Sequence, residues 1–226
     1  MGAGVGASVG AGVGAGVGPG VTPGPGSGTR WLADRPHEHL EGGDITLCRA
    51  SAGDLEELVG AVNDSLEHLR PWMPWAQQPA TPASIGAFLQ QADAGWREGR
   101  EFQFAIRGPR RTEPRALIGF CGLHDRVGAG ALEIGYWVRV DCTGRGVAAG
   151  AATLLARAAL ALDGVTRVEI RCDEGNVRSA AIPPGLGFRL DRVEDRSPDA
   201  PGESRRLMIW TAGPEVVASS PGGTRS

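Results

Sequence analysis

The chain predicts a mixed α/β fold, a sheet with helices laid on its faces. Two patterns and one junction point to it. Short apolar, β-branched or alternating runs recur at 44–49, 102–107, 116–123, 132–140, 165–172, 188–193 and 205–210. Helical periodicity fills gaps between them, at 55–69, 81–99 and 147–162. Strand, glycine loop and helix then follow one another without a break through 132–162.

In chain order, the first thirty residues are almost wholly Gly, Ala, Val and Pro. They lack the large apolar side chains that offset ordering entropy. A disordered tail is therefore expected over 1–42, a folded domain over 43–212 and a second loose tail over 213–226. The opening run has no basic segment and no solid apolar stretch, so no secretory signal is expected. The strand at 44–49 leads through Ser51 and Asp54 into a helix carrying Leu55, Leu58, Val62 and Leu69. Pro71 and Pro74 stop that helix and stiffen a loop bearing Trp72, Met73 and Trp75. The loop is either a plug over the core or one wall of a binding site. Thr81 and Pro82 open the next helix as cap and first residue. Ile85, Phe88, Leu89, Ala92 and Trp96 form its buried stripe, and Gly99 ends it. Two strands, a glycine-rich turn at 125–131 and the central strand follow.

The centre of the chain carries the chemistry. Glycines in the loop at 141–146 let the backbone approach a ligand closely, and the helix that follows starts with unpartnered N–H groups. With the helix dipole, such a junction suits an anion such as pyrophosphate, and Arg145 adds a guanidinium. A P-loop is excluded, because the chain contains no lysine. The dinucleotide pattern also fails, since Ala149 stands where its third glycine belongs.

Composition excludes other classes. A net charge of −3 lacks the basic footprint of general nucleic-acid binding, and no apolar stretch is long enough to span a membrane. The four cysteines, Cys48, Cys121, Cys142 and Cys172, are scattered without metal-ligand spacing, and so are the four histidines. No metal is expected. Free thiols in a cytoplasmic protein are the expectation.

Three motifs stand in order around the loop. Glu133-Ile134-Gly135-Tyr136-Trp137 lies on the strand, Thr143-Gly144-Arg145-Gly146-Val147-Ala148 in the loop, and Asn176-Val177-Arg178-Ser179 before Leu186-Gly187-Phe188. They resemble the acyl-CoA signature and flanking segments of the GNAT acyltransferases, in their RimJ/RimL ribosomal-protein branch, over roughly residues 44–211. The resemblance implies a central, mostly antiparallel sheet of six to seven strands with flanking helices. Its two parallel neighbours splay to admit pantetheine. It further implies acetyl-CoA as co-substrate, held by Trp137, Val138, Thr143, Gly144, Arg145, Gly146, Val147 and Ala148. Asn176 and Ser179 would hold the sulfur end, with Trp72, Trp75 and Tyr136 on the acceptor side. Thr143 replaces the family's usual Gln or Arg, and Pro183-Pro184 predict a short or broken helix beside the cofactor.

Acyl transfer to an amine needs a base, an oxyanion donor and a proton for the thiolate. Glu133, a carboxylate in an apolar strand, is the sequence candidate for the base if burial raises its pKa; a structural pair with an arginine is the alternative. Ser179 is the candidate acid, with Asn176 fixing the pantetheine arm or a water. The bland alternative is that both cap the next helix. A backbone N–H near Trp137 or Val138 would serve the oxyanion. The expected reaction is direct acetyl transfer to a protein or peptide α-amine, with a small amine such as an antibiotic or polyamine as rival acceptor. A non-catalytic CoA- or partner-binding domain is the further alternative. Monomer and homodimer both remain open.

Overall fold

The computed structural model describes residues 32–110 and 113–215. In chain order its elements are β1 (His39–Gly42), β2 (Ile45–Arg49), α1 (Leu55–Asp64), α2 (Leu66–Leu69), α3 (Pro82–Glu98), β3 (Glu101–Arg110) and β4 (Glu113–His124). Then come β5 (Ala131–Val138), α4 (Val147–Leu160), β6 (Arg167–Asp173), α5 (Val177–Ala180), α6 (Ile182–Gly185), β7 (Arg189–Asp195) and β8 (Arg206–Ala212). The strands form one sheet in the order β1-β2-β3-β4-β5-β6-β8-β7. Every neighbouring pair is antiparallel except β5 with β6.

The sheet has eight strands, against the six or seven expected. The addition is β1, which falls inside the stretch assigned to a disordered tail. It pairs with β2 through a tight turn where Gly43 takes a left-handed φ of 59°. Leu32, further upstream, is also buried. A four-residue edge strand with an exposed histidine and glutamate carries too little apolar alternation to be seen in sequence. The remainder of the expected tails, 1–31 and 216–226, lies outside the described residues.

Two cores sandwich the sheet. On one face α4 lies against Ile134, Tyr136, Val168 and Ile170. Its buried stripe is Val147, Ala151, Ala152, Leu155, Ala156 and Ala159; small alanines let the helix sit close. Fully burying Leu155 contributes about 1.5–3 kcal/mol relative to exposure. Leu154, partly buried against the same core, reaches the β1 edge, where Gly42 leaves it room. The other face is covered by α1 and α3, with Leu58, Val62, Ile85, Phe88 and Leu89 packed on Ala105, Phe120 and Trp137. The α3 cap is as expected: Thr81 Oγ1 accepts from the Ser84 N–H at 3.1 Å, and Gly99 ends the helix at φ 74°.

The helix expected through residue 69 breaks at Ser65, whose φ and ψ are −110° and 6°. Ser65 is buried, and its hydroxyl accepts the Val140 N–H at 3.2 Å. The kink therefore ties α2 to the end of the central strand. Similarly β5 stops at Val138, two residues before its expected end, and a short 3-10 turn over Val140–Cys142 leads into the glycine loop.

Candidate active site

The parallel pair β5/β6 is joined at one end only. Its register holds Ala131 to Arg167, Leu132 to Val168 and Glu133 to Glu169, and then stops. Beyond that point β5 continues against β4 as far as Val138, and β6 against β8 as far as Asp173. The strands diverge, and a cavity of about 490 Å³ reaches this opening. Arg139 N–H donates to the Ile118 carbonyl of β4 at 2.9 Å. Antiparallel alternation then turns the backbone of Trp137 toward β4, and that of Tyr136 and Val138 toward the opening. Of the two expected oxyanion donors, only Val138 faces the cavity with its N–H.

The glycine loop lines one side of this cavity. Gly144 and Gly146 have φ of 74° and 76°, and a Cβ at either would meet no atom within 4 Å. The left-handed backbone, rather than crowding, demands glycine there, and the open space suits a close ligand. The first α4 hydrogen bond runs from Gly150 N–H to the Gly146 carbonyl at 2.8 Å, so the N–H groups of Val147, Ala148 and Ala149 precede the helix's own ladder. Thr143 caps the loop through its hydroxyl, donating to the Val140 carbonyl at 2.9 Å. Arg145 donates to the Asp141 carbonyl at 3.1 Å and does not line the cavity. The loop is anchored by Asp141, which accepts from Arg110 at 2.8 Å and Arg139 at 3.2 Å. Partial burial raises the Asp141 pKa, but these two arginines outweigh it and hold it near about 2. Arg139 is itself buried and also donates to Asp64 at 2.7 Å. Sequence reasoning overlooked this hub, whose only linear trace is the Arg139-x-Asp141 spacing.

Across the opening stands α5. Asn176 is its N-cap, with Oδ1 accepting the Ser179 N–H at 3.3 Å; both residues line the cavity. Capping and facing the cavity are thus compatible roles. Ser179 Oγ lies 3.3 Å from the Tyr136 hydroxyl. Burial pushes the Tyr136 phenol well above its ordinary value, with Ser179 pulling it partly back, so it stays protonated. Burial likewise pushes the Cys172 thiol up to about 11, with Ser179 and Trp210 pulling it partly back. As Pro183-Pro184 predict, the chain here forms two short turns, α5 and α6, in place of one helix.

The remaining wall comes from the other face of the sheet. His68 and Leu69 of α2, with Trp72 and Met73 of the proline loop, line the cavity. Trp75, expected beside them, does not: partly buried, its ring packs on Trp137 at 6.1 Å, against the α1/α3 core. Pro74 starts a 3-10 turn that carries Trp75 inward. The loop is therefore both plug and wall, one tryptophan for each.

Glu133 is not in the cavity. It is fully buried at the joined end of β5, and Arg126 donates to both its oxygens at 2.8 and 2.9 Å. Burial pushes its pKa up, but Arg126, then His124 and Arg171, outweigh that and bring it below the ordinary value. The expectation of a carboxyl raised toward neutrality is overturned, and the arginine pair is what the fold contains.

A splayed parallel pair beside a glycine-capped helix carries the comparison with known proteins. The family model described as acetyltransferase (GNAT) domain matches residues 44–189. The chain belongs to the GNAT acetyltransferases. Acyl-CoA-dependent N-acetyl transfer is that family's chemistry and this chain's. The chain is 27% identical over 146 residues to YdaF of Bacillus subtilis, a candidate ribosomal N-acetyltransferase, covering 64% of this chain and 77% of that one. Its fold is similar to RimL, a ribosomal L7/L12 α-N-protein acetyltransferase solved with coenzyme A, at TM-score 0.69 and 17% identity, covering 78% and 98% of the two chains. Mycobacterium smegmatis RimJ, solved with a CoA-disulfide, gives 0.67 and 22%, covering 78% and 85%. The microcin C7 self-immunity acetyltransferase MccE, solved with acetyl-CoA and AMP, gives 0.68 and 20%, covering 76% and 93%. Among the described residues of this GNAT chain, no group of three or more His, Cys, Asp or Glu could hold a metal, and no helix is long and apolar enough to cross a membrane.

Proposed function

We propose that this GNAT enzyme moves the acetyl group of acetyl-CoA to the α-amine of a protein or peptide, by direct transfer in a ternary complex. The observation that carries this reading is a single cavity reached from both faces of the sheet. One side offers the glycine loop and the first N–H groups of α4, which suit pyrophosphate. The other offers an aromatic wall for an acceptor. The thioester would lie between, along the backbone of Tyr136 and Val138. There the Val138 N–H stabilises the carbonyl oxygen as it gains charge. The Ser179 hydroxyl, oriented by Tyr136 and by the Asn176 cap, donates to the departing sulfur. Glu133 takes no proton in this scheme; it keeps the joined end of the strands closed.

The relatives named for ribosomal-protein acetylation favour a protein α-amine. MccE, solved with AMP on the same fold, favours a small-molecule acceptor as the second reading. Thiol release from acetyl-CoA, measured against peptides with free N-termini, aminoglycosides and polyamines, separates them. We expect the peptides to turn over fastest. Preference for a small amine would move the acceptor assignment. Acetyl-CoA binding without transfer to any amine would favour the non-catalytic alternative.

A further inference from the structure

With Glu133 locked in its ion pair, the cavity needs another group to relieve the amine of its proton. Among the described residues its lining contains no aspartate or glutamate. Its titratable side chains are His68, Tyr136, Cys142 and Arg178. Arg178 is a permanent cation. Burial keeps Tyr136 and Cys142 protonated, as phenol and thiol, at neutral pH. None of these three can accept a proton there.

We propose that His68 is the general base of the acetyl transfer, taking the proton from the acceptor nitrogen. The inference rests on the acetyltransferase reading above. His68 sits on α2 beside Trp72 and Met73, on the acceptor wall, and it is half-buried, so one side of the ring keeps a path to solvent. Its helix is fixed to the central strand by the Ser65–Val140 hydrogen bond. The Ser65 kink is thus what places the imidazole here. Burial first, and then the charge of Arg178 on α5, lower the His68 pKa below its ordinary 6.5. On its own helix Glu67 pairs with Arg70 at 2.6 Å. The loop packed on Pro71 carries Glu203, which is engaged by Arg196 at 2.6 Å. His68 is accordingly neutral at neutral pH, able to accept.

The proton inventory closes. An α-amine with a pKa near about 7.7–8.0 is substantially neutral at physiological pH, so attack itself needs no strong base. Its lone pair forms the C–N bond and leaves the nitrogen positively charged. That nitrogen is now a strong acid, and its proton passes to the ring nitrogen of His68. The C–S bond breaks, and the sulfur takes a proton from the Ser179–Tyr136 pair. His68 returns its proton to solvent, and the pair recovers one.

The test compares wild type with His68→Gln and His68→Ala in the full chain, using acetyl-CoA and the best amine from the acceptor screen. Below the limb that protonation of the amine itself gives, the wild-type kcat/KM should show a second acidic limb as pH drops through the His68 pKa, below the ordinary histidine range. His68→Gln should lower kcat by about 10²-fold or more, remove that acidic limb and leave the KM for acetyl-CoA within a few-fold. Added imidazole should restore part of the His68→Ala rate, which a purely structural role does not predict. Thermal unfolding with acetyl-CoA confirms that both variants fold. Wild-type turnover with unchanged kcat in His68→Gln, or survival of the second, lower acidic limb in that variant, overturns the His68 assignment and leaves the acetyltransferase reading standing. Wild type that binds acetyl-CoA but acetylates no amine overturns both.

Discussion

The two ends of β5 are built on opposite principles. At the joined end, Glu133 and Arg126 form a buried pair, Glu169 is flanked by Arg167 and Arg171, and His124 lies 3.5 Å from Glu101. Charges there neutralise one another, and β6 is hydrogen-bonded in register. At the splayed end, three to five residues along the same strand, the cavity is walled by aromatic rings, glycine backbone and hydroxyls, without a carboxylate among the described residues. Buried ion pairs at one end hold the strands together; at the other, hydroxyls, backbone N–H groups and the Arg178 guanidinium leave an opening where an anionic co-substrate meets no repelling carboxylate. A buried carboxylate on the central strand is therefore a fastener, while the cavity end is built without carboxylates among the described residues.

Breaking the joined end should give the largest effect. Glu133→Gln or Arg126→Ala leaves a buried charge without its partner, and either should cost about 3–5 kcal/mol, read from urea unfolding. A variant Glu133→Gln that stays near wild-type stability but loses turnover would contradict the division. At the splayed end, Ser179→Ala should lower kcat by up to about 10²-fold with little change in stability or acetyl-CoA binding. Equal loss of affinity and kcat would instead make Ser179 a binding residue. Gly146→Ala meets no atom but must adopt φ 76°, so about 1–2 kcal/mol should be lost from folding, with weaker acetyl-CoA binding by calorimetry.

The smallest effect concerns the loop anchor. The pKa of Asp141 is depressed from 3.8 to about 2, so its contribution is present above about pH 4 and is lost as pH falls toward 2. The Tm difference between wild type and Asp141→Asn should therefore be clear at neutral pH and shrink toward pH 2. A difference that stays constant would show that the arginines do not hold the loop through this carboxylate.

Much of the site was legible in sequence because it depends on local rules. The glycines at 144 and 146 mark left-handed backbone, Asn176 caps three residues ahead of Ser179, and Thr81-Pro82 starts a helix. The misread residues depend on partners across turns or on side-chain direction. Arg126 reaches Glu133 because the glycine-rich turn between β4 and β5 folds the two into contact. Trp75 and Trp72 are three apart in one loop, yet one goes to the core and the other to the cavity. His68 reads as one more residue of an amphipathic helix until Ser65 breaks that helix.

The sequence by itself determined the order of elements apart from β1 and the break before α2, the phosphate-suited loop, the broken helix at Pro183-Pro184 and the family, since each follows from local backbone preference or a contiguous motif. Tertiary structure alone decided where β5 and β6 part, which carboxylate is neutralised and which imidazole lines the cavity. Those depend on strand register and on charges brought together from distant parts of the chain, where burial and pairing compete within a few ångströms.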